Sequence, residues 1–352
     1  MQLRPSRPLA ISLAVVVAAS SLSAPSAAAA SLPETADTQV MALTSTDGYT
    51  TQQGAVVHGQ WAWVLQSKRV KLSSGREQRS TQLLKYRIGD ENPVASRKFK
   101  YDPKTRTNTL GHANDMTYDT ARKQLVVPVW DEARPANDNL VRYLDPDTLR
   151  SVAEKTVKGP AHISAICYFG GRYVAGSGTE FWRYDAELEN GQRILKVSLD
   201  DTDQGIACDS EYIYLPRSKR INPDRLDNTV HVYTWEGKHV ADYLMQTTWG
   251  EVEAMTVRPS DGAVFAAFNL KSSPDNWLTR VDKLRYEVRY GDTVPATVAL
   301  YGQRAQLATA PAKAGQTFTG WVGGARYWPG DEVQPRIRGG HVTLRPTWMP
   351  AG

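Results

Sequence analysis

The sequence lacks most motifs by which common enzyme and nucleic-acid-binding classes are recognised. It has no Gly-x-Ser-x-Gly nucleophile elbow, no glycine-rich phosphate-binding loop and no His-Glu-x-x-His helix motif. Its lysines and arginines form no run typical of a nucleic-acid-binding segment, and the formal net charge is a modest +5. These absences predict no nucleic-acid partner and indicate no familiar catalytic class. The charge is consistent with a solvated basic surface or with contact to anionic polymers.

Long apolar segments are scarce, and the one at the N-terminus is short. Arg4 and Arg7 precede an apolar stretch from Leu9 to Ala19, and small residues follow, with an Ala-x-Ala-like site at Ala28-Ala29-Ala30. This arrangement is typical of a secretory signal peptide over residues 1–30, because the apolar stretch is too short to span a bilayer comfortably. We expect a mature protein that is extracellular or associated with the cell wall, without a membrane-spanning segment.

Cysteine is also scarce, since the chain contains only Cys167 and Cys208. An exported protein folds in an oxidising compartment, so a single disulfide between these residues is one expectation. Two buried free thiols are the alternative. The cysteine count alone does not choose between them.

The residues that are abundant indicate an all-β fold. Trp occurs ten times and Tyr sixteen times, and short stretches rich in Val, Tyr, Trp and Thr alternate with Gly, Pro, Asn and Asp. One pattern recurs: a polar residue, a small or acidic residue, an apolar residue and then a short strand. Its five copies begin at Gln53-Gly54-Ala55, Asn114-Asp115-Met116, Ser164-Ala165-Ile166, Gln204-Gly205-Ile206 and Glu253-Ala254-Met255.

Further strands follow each copy of the pattern. Second strands are predicted at residues 61–65, 124–129, 172–176, 212–215 and 263–268. Third strands with an apolar–basic–apolar character are predicted at 84–86, 141–143, 182–184, 231–233 and 279–281. A fourth, more polar strand follows in the first four copies. The interval of roughly 40 to 60 residues is that of four-stranded propeller blades.

The repeat predicts a five-bladed β-propeller over residues 31–285. A β-sandwich and a solenoid are the alternatives, but five equivalent copies favour a closed ring in which each blade covers its neighbour. The fifth copy lacks an outer strand, which residues 39–43 can supply. In such a ring Cys167 and Cys208 point to opposite blade faces, and opposite faces of adjacent blades look toward each other. This geometry favours an inter-blade disulfide.

The pattern changes near Tyr286, and residues 286–352 are predicted to form a separate small β domain. Its distinctive strings are Tyr301-Gly302, Gly315-Gln316-Thr317-Phe318-Thr319-Gly320-Trp321, Pro329-Gly330-Asp331 and Val342-Thr343-Leu344 with Trp348. These strings resemble the internalin-type B repeat (the Listeria–Bacteroides repeat), a small β-grasp-like module. Trp328 departs from the repeat, where a small or polar residue is more usual. The resemblance implies attachment, spacing or partner contact rather than catalysis.

Polar residues at the starts of the innermost propeller strands are predicted to converge at one mouth of the central channel. These candidate ligand-binding residues are Gln53, His112, Asn114, Asp115, His162, Ser164, Gln204, Glu251 and Glu253. Convergent polar groups in a concave site are a candidate binding site. The alternative is that these residues are only the hydrated lining of a channel mouth.

Several functions are compatible with this set of residues. Amides and carboxylates can bind the hydroxyl groups of a carbohydrate or polyol phosphate, with Trp or Tyr as stacking faces. Asp115, Glu251 and Glu253 could instead serve a polysaccharide hydrolase or lyase as acid and base or nucleophile. His112 and His162 with Asp115 are weak metal-ligand candidates. A structural protein-interaction module with an incidental funnel is a further alternative.

The string Gly111-His112-Ala113-Asn114-Asp115-Met116-Thr117-Tyr118-Asp119 resembles a blade-opening motif of secreted propellers of the helveticin J type. These are class III bacteriocins, and related proteins are described as teichoic-acid biosynthesis protein C-like. Strings at residues 204–206, 212–214, 251–255 and 268–269 fit the same pattern, and the resemblance spans residues 45–285. It implies an extracellular protein that engages bacterial surfaces, with bacteriocin-like antagonism, and it transfers no catalytic residue.

The sequence thus favours a secreted, monomeric propeller that binds a cell-wall or surface glycopolymer and is not an enzyme. No cofactor is indicated, although a divalent metal in the funnel stays an open alternative. A second binding module on the same chain would raise avidity for an envelope without adding chemistry.

Overall fold

The computed structural model consists of β-strands joined by turns and loops, with no helix in the part of the chain that it describes. That part comprises residues 32–44, 48–71, 77–99, 101–102, 107–108, 110–129, 139–160, 162–197, 202–223, 225–270, 275–291, 294–323, 325–333 and 341–351. Among these residues no helix has the length and apolarity needed to cross a bilayer. The predicted signal peptide over residues 1–30 lies outside them. The all-β prediction is confirmed.

The described residues form thirty-one strands. Those of the first half are β1 (Ala36–Thr44), β2 (Thr51–His58), β3 (Trp61–Lys71), β4 (Glu77–Arg87), β5 (Ala95–Phe99), β6 (Tyr101–Asp102), β7 (Thr107–Asn108), β8 (Thr117–Asp119), β9 (Gln124–Val129), β10 (Leu140–Leu144), β11 (Ser151–Thr156), β12 (Ala165–Phe169), β13 (Arg172–Ser177), β14 (Glu180–Tyr184) and β15 (Gln192–Lys196).

The strands of the second half complete the list. They are β16 (Thr202–Asp203), β17 (Ala207–Cys208), β18 (Tyr212–Asn222), β19 (Arg225–Thr234), β20 (His239–Leu244), β21 (Gly250–Val257), β22 (Val264–Leu270), β23 (Asp275–Asp282), β24 (Arg285–Arg289), β25 (Thr297–Leu300), β26 (Ala305–Gln306), β27 (Gln316–Val322), β28 (Arg326–Tyr327), β29 (Glu332–Val333), β30 (His341–Thr343) and β31 (Arg345–Pro350).

Five antiparallel sheets, here called sheets I to V, correspond to the five copies of the sequence pattern. Sheet I is β2-β3-β4-β5, sheet II is β8-β9-β10-β11 and sheet III is β12-β13-β14-β15. Sheet IV has the order β16-β18-β19-β20, with β17 also paired to β18. Sheet V has the order β21-β22-β23-β1. In each sheet the strands lie side by side in chain order, apart from β1.

The N-terminal strand completes sheet V. β1 pairs antiparallel with β23, with Ala36 opposite Asp282 and Thr44 opposite Asp275. Sheet V therefore takes three strands from one end of the repeat region and its outermost strand from the other. The segment predicted to do this, residues 39–43, lies inside β1.

The burial of the strands changes from the inner to the outer edge of a sheet. The second strand of sheet II, β9, is buried over five consecutive residues, because both of its faces are covered. The outer strand β11 is exposed along almost its whole length. An apolar inner part and a polar outer edge explain why the fourth strand of each copy is the most polar one.

The innermost strands of all five sheets surround one small cavity. Its lining includes Val56 of β2, Thr117 of β8, Cys167 of β12, Ala207 of β17 and Met255 of β21. Each of the five innermost strands contributes consecutive residues to this lining, such as Val56 and Val57 of β2. The five sheets are thus arranged with their inner edges together.

The two cysteines form a disulfide between two of these innermost strands. Cys167 in β12 and Cys208 in β17 are bonded, with their Cα atoms 5.9 Å apart. The bond links sheets III and IV, so the predicted disulfide is confirmed. Both residues belong to the apolar cluster between the two sheets, which also contains Val174 and Ile213.

Three small sheets follow sheet V. They are β25-β24-β30, β26-β29 and β28-β27-β31, and β24 pairs parallel with β30. Their common core contains Tyr286, Tyr290, Trp321 and Leu344, with the partly buried Phe318 packed against it. Leu32–Gly352 form one compact unit. The prediction that residues 286–352 are a separate domain is untested and stays a prediction.

Candidate functional site

The predicted site residues lie at the starts of the innermost strands or just before them. Gln53 is in β2, and Glu251 and Glu253 are in β21. The others precede a strand: His112, Asn114 and Asp115 come before β8, His162 and Ser164 before β12, and Gln204 before β17. We call this end of the sheets the mouth. Hydrogen bonds between sheets show how closely its residues approach one another.

Asp115 is the centre of the inner edge of the mouth. Its side chain has no exposed surface. Oδ1 accepts a hydrogen bond from the Met116 amide at 2.9 Å. Oδ2 accepts the Ile166 amide at 2.9 Å and the Ile206 amide at 3.1 Å. One carboxylate therefore joins the strand starts of sheets II, III and IV, which gives Asp115 a structural use that requires no ligand.

The neighbouring sheets present small residues to Asp115. A Cβ atom on Gly54 would lie 2.8 Å from the Asp115 backbone, and a Cβ on Gly205 would lie 3.1 Å from its carboxylate. Ala165 and Ala254 occupy the same place in the other two copies of the pattern. Asp115 therefore lies close to two glycines, and this close approach explains why neither position carries a side chain.

Two carboxyl groups lie at the start of β21 and differ in exposure. Glu251 is partly exposed and its Oε1 accepts a 2.6 Å hydrogen bond from Gln204 Nε2 of sheet IV. Glu253 is 7% exposed, and its Oε1 accepts a 3.1 Å hydrogen bond from Asn269 Nδ2. Gln204 and Glu251 thus connect two sheets, whereas Glu253 is bonded within sheet V.

Both carboxyl groups have raised pKa values. For Glu253 the pKa rises well above its usual range, because burial and the nearby charge of Glu251 outweigh the Asn269 hydrogen bond and the charge of Arg79. For Glu251 burial raises the pKa, against the charge of Arg220 and the hydrogen bond from Gln204. The protonated form of Glu253 therefore persists to higher pH than that of a free glutamic acid, and in this form it can donate a hydrogen bond.

His112 is held neutral by its surroundings. Burial, together with the charges of Arg79 and Arg69, lowers its pKa to about 3. The charge of Arg79 also lowers the pKa of Glu253, against the larger effect of burial. A neutral imidazole there can donate and accept hydrogen bonds without adding charge.

The remaining predicted residues are spread around the mouth. The ring Nε2 of His162 and Ser177 Oγ form a hydrogen bond. The Ser164 amide donates to the Gly176 carbonyl. Gln53 Nε2 donates to the Gln52 carbonyl at 2.6 Å, while Gln53 Oε1 has no hydrogen-bond partner among the described residues. Asn114 Oδ1 likewise has none among them. Both oxygens are buried, so a ligand could reach them only if these side chains moved.

Two long hairpins extend past the mouth, and the repeated sequence pattern does not predict them. Thr51 at the start of β2 pairs with Ser67 of β3. The end of β3 after Ser67 and the part of β4 that pairs with it therefore project beyond the start of β2. In sheet IV, β16 pairs with Arg217 and Ser218, and the β18–β19 hairpin continues past it. The hairpins carry the basic residues Lys68, Arg69, Lys71, Arg79, Lys219, Arg220 and Arg225.

An exposed tryptophan was also missed. Trp249, directly before β21, is 46% exposed and meets Trp277 edge to face with ring centroids 4.7 Å apart. Asn228, which is fully buried, holds this segment because its Nδ2 donates to the carbonyls of Thr247 at 2.6 Å and Gly250 at 2.8 Å. The position of Trp249, two residues before Glu251, was the signal available in the sequence.

The predicted metal ligands His112 and His162 belong to no cluster of three metal-ligand side chains among the described residues. The cluster that does occur there is on the outer part of sheet IV, away from the innermost strands. It consists of His231, His239 and Asp242.

Comparison with known proteins gives no family for the chain. No protein-family model matches it, and no curated protein matches it. Solved structures that align with it include the tail fibre of Staphylococcus aureus phage P68, with 10% identity and a TM-score of 0.48 over 70% of this chain and 52% of that chain. The chain thus spans about half the length of the tail-fibre chain.

A second alignment is with the catalytic domain of the Coprinopsis cinerea GH62 α-L-arabinofuranosidase. It has 9% identity and a TM-score of 0.43, and it covers 70% of this chain and 97% of that chain. A third is with a glucose dehydrogenase, with 9% identity and a TM-score of 0.38 over 68% of this chain and 84% of that chain. At such low identities and TM-scores these similarities carry no argument about this chain, and the site rests on its own geometry.

Proposed function

We propose that this is a secreted protein that binds an anionic glycopolymer of bacterial cell walls or surfaces at the mouth. The observation that carries the proposal is the combination of groups there. Hydrogen-bonding amides and carboxyls lie beside an exposed tryptophan and below two basic hairpins. Hydroxyl groups, sugar faces and phosphate or carboxylate groups of one polymer would each find a suitable partner.

Each part of the polymer corresponds to a group at the mouth. Glu251, which is partly exposed, accepts from a hydroxyl, and Glu253 in its protonated form donates to an oxygen. Trp249 offers a partly exposed ring for stacking against a sugar. Arg69, Lys219 and the other cations of the hairpins attract negative charge, and that attraction weakens as salt rises. In this proposal Asp115 belongs to the scaffold and not to the ligand-binding set.

The proposed architecture is a five-bladed propeller. Sheets I to V serve as its blades, and β1 closes the ring by completing sheet V. The shared cavity at the inner edges of the five sheets supports this proposal. We further propose that residues 286–352 act as an internalin B repeat-like module that strengthens attachment to the envelope.

A polysaccharide hydrolase or lyase is the second candidate function. The observation that favours it is the pair Glu251 and Glu253, two residues apart on one strand, with raised pKa values and different exposure. A protonated acid beside a more exposed carboxylate is a common arrangement for general acid–base catalysis. Binding alone remains the first proposal, because the amides, the tryptophan and the basic hairpins serve binding and require no turnover.

Co-sedimentation with purified cell-wall fractions tests both functions. The mature protein is mixed with wall material, and its pelleting and the release of soluble sugar or phosphate are followed together. We expect pelleting without release, weaker at high salt and weaker for Trp249→Ala. Val152→Ala is the control, because Val152 is 52% exposed but lies on the outer strand of sheet II, away from the mouth. Equal pelleting of the wild type and Trp249→Ala would contradict the proposed site.

Release of sugar or phosphate that is lost in Glu253→Gln would instead identify an enzyme. The bacteriocin-like antagonism implied by the helveticin J resemblance has its own assay, growth inhibition of bacteria whose walls bind the protein. Binding that survives all substitutions at the mouth would favour the structural interaction module.

A further inference from the structure

A β-bulge on the outer part of sheet IV brings together three metal-ligand side chains. His231 in β19 lies directly opposite Asp242 in β20. His239 and Asp242 are three residues apart on β20, so regular alternation would place them on opposite faces. The register shifts between Val232 and Tyr233, and this bulge returns His239 to the face of the other two.

The three donor atoms converge on one point. His231 Nδ1 and His239 Nε2 each lie 2.7 Å from Asp242 Oδ1. All three ligand atoms lie within 4.8 Å of one another. A tetrahedral ion with bonds of about 2.0–2.1 Å separates its ligand atoms by roughly 3.3 Å, which small rotations of these side chains can reach.

We propose that His231, His239 and Asp242 bind a divalent transition-metal ion of the zinc class. Two imidazoles and one carboxylate are typical ligands of Zn²⁺, whereas Ca²⁺ and Mg²⁺ prefer oxygen ligands alone. The side chains are 13%, 50% and 28% exposed, so the site opens to solvent on the His239 side and leaves room for a water as fourth ligand.

The site would have a structural effect that is independent of the mouth. Its ligands come from the two outer strands of sheet IV and span the bulge between them. The disulfide fixes the same sheet at its inner edge. A bound ion would therefore stabilise the opposite edge, and a metal that binds only the folded protein would raise its thermal midpoint.

Isothermal titration of the metal-stripped protein with Zn²⁺, together with thermal unfolding, tests the proposal. We expect one site per chain, a higher midpoint with Zn²⁺ and no such effect with Ca²⁺ or Mg²⁺. His239→Gln is the diagnostic variant, because glutamine can still hydrogen-bond to Asp242 but is a poor zinc ligand. We expect at least about tenfold weaker zinc binding with an unchanged metal-free midpoint. Co²⁺ in place of Zn²⁺ should show d–d absorption bands in the wild type alone.

Two control variants locate the site. His341→Ala, in the C-terminal sheets, should leave zinc binding unchanged. His162→Ala examines the mouth, so a loss of binding in that variant would place the ion there and overturn the proposal. The proposal also fails if the wild type shows no saturable zinc binding, or if His239→Gln binds zinc as tightly as the wild type.

Discussion

Asp115 and Glu253 are carboxyl groups at adjacent positions of the same repeated pattern, and their surroundings differ completely. Asp115 accepts hydrogen bonds from three backbone amides on sheets II, III and IV. Glu253 accepts one side-chain amide and lies near a second carboxyl group, so its pKa is raised. A shift of one position in the repeat separates a carboxylate that joins three sheets from a carboxyl group whose pKa is raised.

The comparison shows what each position of the repeat does. The first position carries Gln53, Asn114, Ser164, Gln204 or Glu253 and supplies polar groups to the mouth. The second carries Asp115 in one copy and glycine or alanine in the other four, and both glycines lie close to Asp115. Substitutions at the two positions should therefore have different consequences, which the following predictions rank by size.

Asp115→Ala should have the largest effect. It leaves three backbone amides without their acceptor, and each buried unsatisfied donor costs about 1–3 kcal/mol. We expect the free energy of unfolding to fall by about 3 kcal/mol or more, measured by urea denaturation. Asp90→Ala, an exposed aspartate in a hairpin turn, is the control and should change stability by less than about 0.5 kcal/mol. A small effect at Asp115 would remove its scaffold role.

Loss of the disulfide should come next. Cys167→Ala/Cys208→Ala removes a bond that spans a sequence separation of 41 residues, and a cost of about 2–4 kcal/mol is expected. Ile166 and Ile206, whose amides bond to Asp115, lie beside these cysteines. Combining the substitutions should therefore give a non-additive change, which a double-mutant cycle of unfolding free energies measures. Strict additivity would mean that the two links act independently.

Gly54→Ala tests how tightly the sheets meet at Asp115. The added Cβ would approach backbone atoms, which cannot rotate away as a flexible side chain can. Overpacking of this kind typically costs about 1–3 kcal/mol, and thermal unfolding should show the loss. A variant as stable as the wild type would show that sheets I and II can separate at little cost.

Glu253→Gln should have the smallest effect on stability, with a sign that depends on pH. The raised pKa means that the folded protein keeps a proton which the unfolded chain loses, so stability falls as pH rises above the usual carboxyl range. The variant removes this loss. We expect its thermal midpoint to exceed that of the wild type near about pH 8, and the gap to close near about pH 4.

The control for that experiment is Glu236→Gln, at an exposed glutamate in the turn between β19 and β20. It should follow the wild type across the pH range. The thermal midpoints of the wild type and Glu253→Gln could instead change in parallel between weakly acidic and weakly basic pH. That result would show that Glu253 is ionised in the folded protein.

Much of the strand order could be predicted from the sequence. The second strand of sheet II occupies the predicted residues 124–129, and the segment at 39–43 lies in the strand that completes sheet V. These predictions succeeded because alternating apolar residues and turn residues are local signals that five copies reinforce. The disulfide followed from the same repeat, since the offset of the two cysteines decides the faces they occupy.

The chemistry at the mouth was less predictable. The pattern contained a small or acidic residue, but only the three amide hydrogen bonds to Asp115 show that one acid serves three sheets. Trp249 lies outside any motif. The His231, His239 and Asp242 cluster depends on a bulge, which shifts the alternation by one residue and leaves no mark in composition. Hairpin length also escaped prediction, because charged residues extend a strand as readily as they end it.

The completion of sheet V by the N-terminal strand has a consequence for the order of folding. Asn276 Nδ2 donates to the Thr50 carbonyl across 226 residues, and Asp37 accepts the Thr247 amide across 210 residues. Pairings between such distant segments require closure of very long loops before they repay any entropy, so they form late and slowly. Sheets I to IV can each form from consecutive residues. We therefore expect the last and slowest kinetic phase of folding to be the docking of β1.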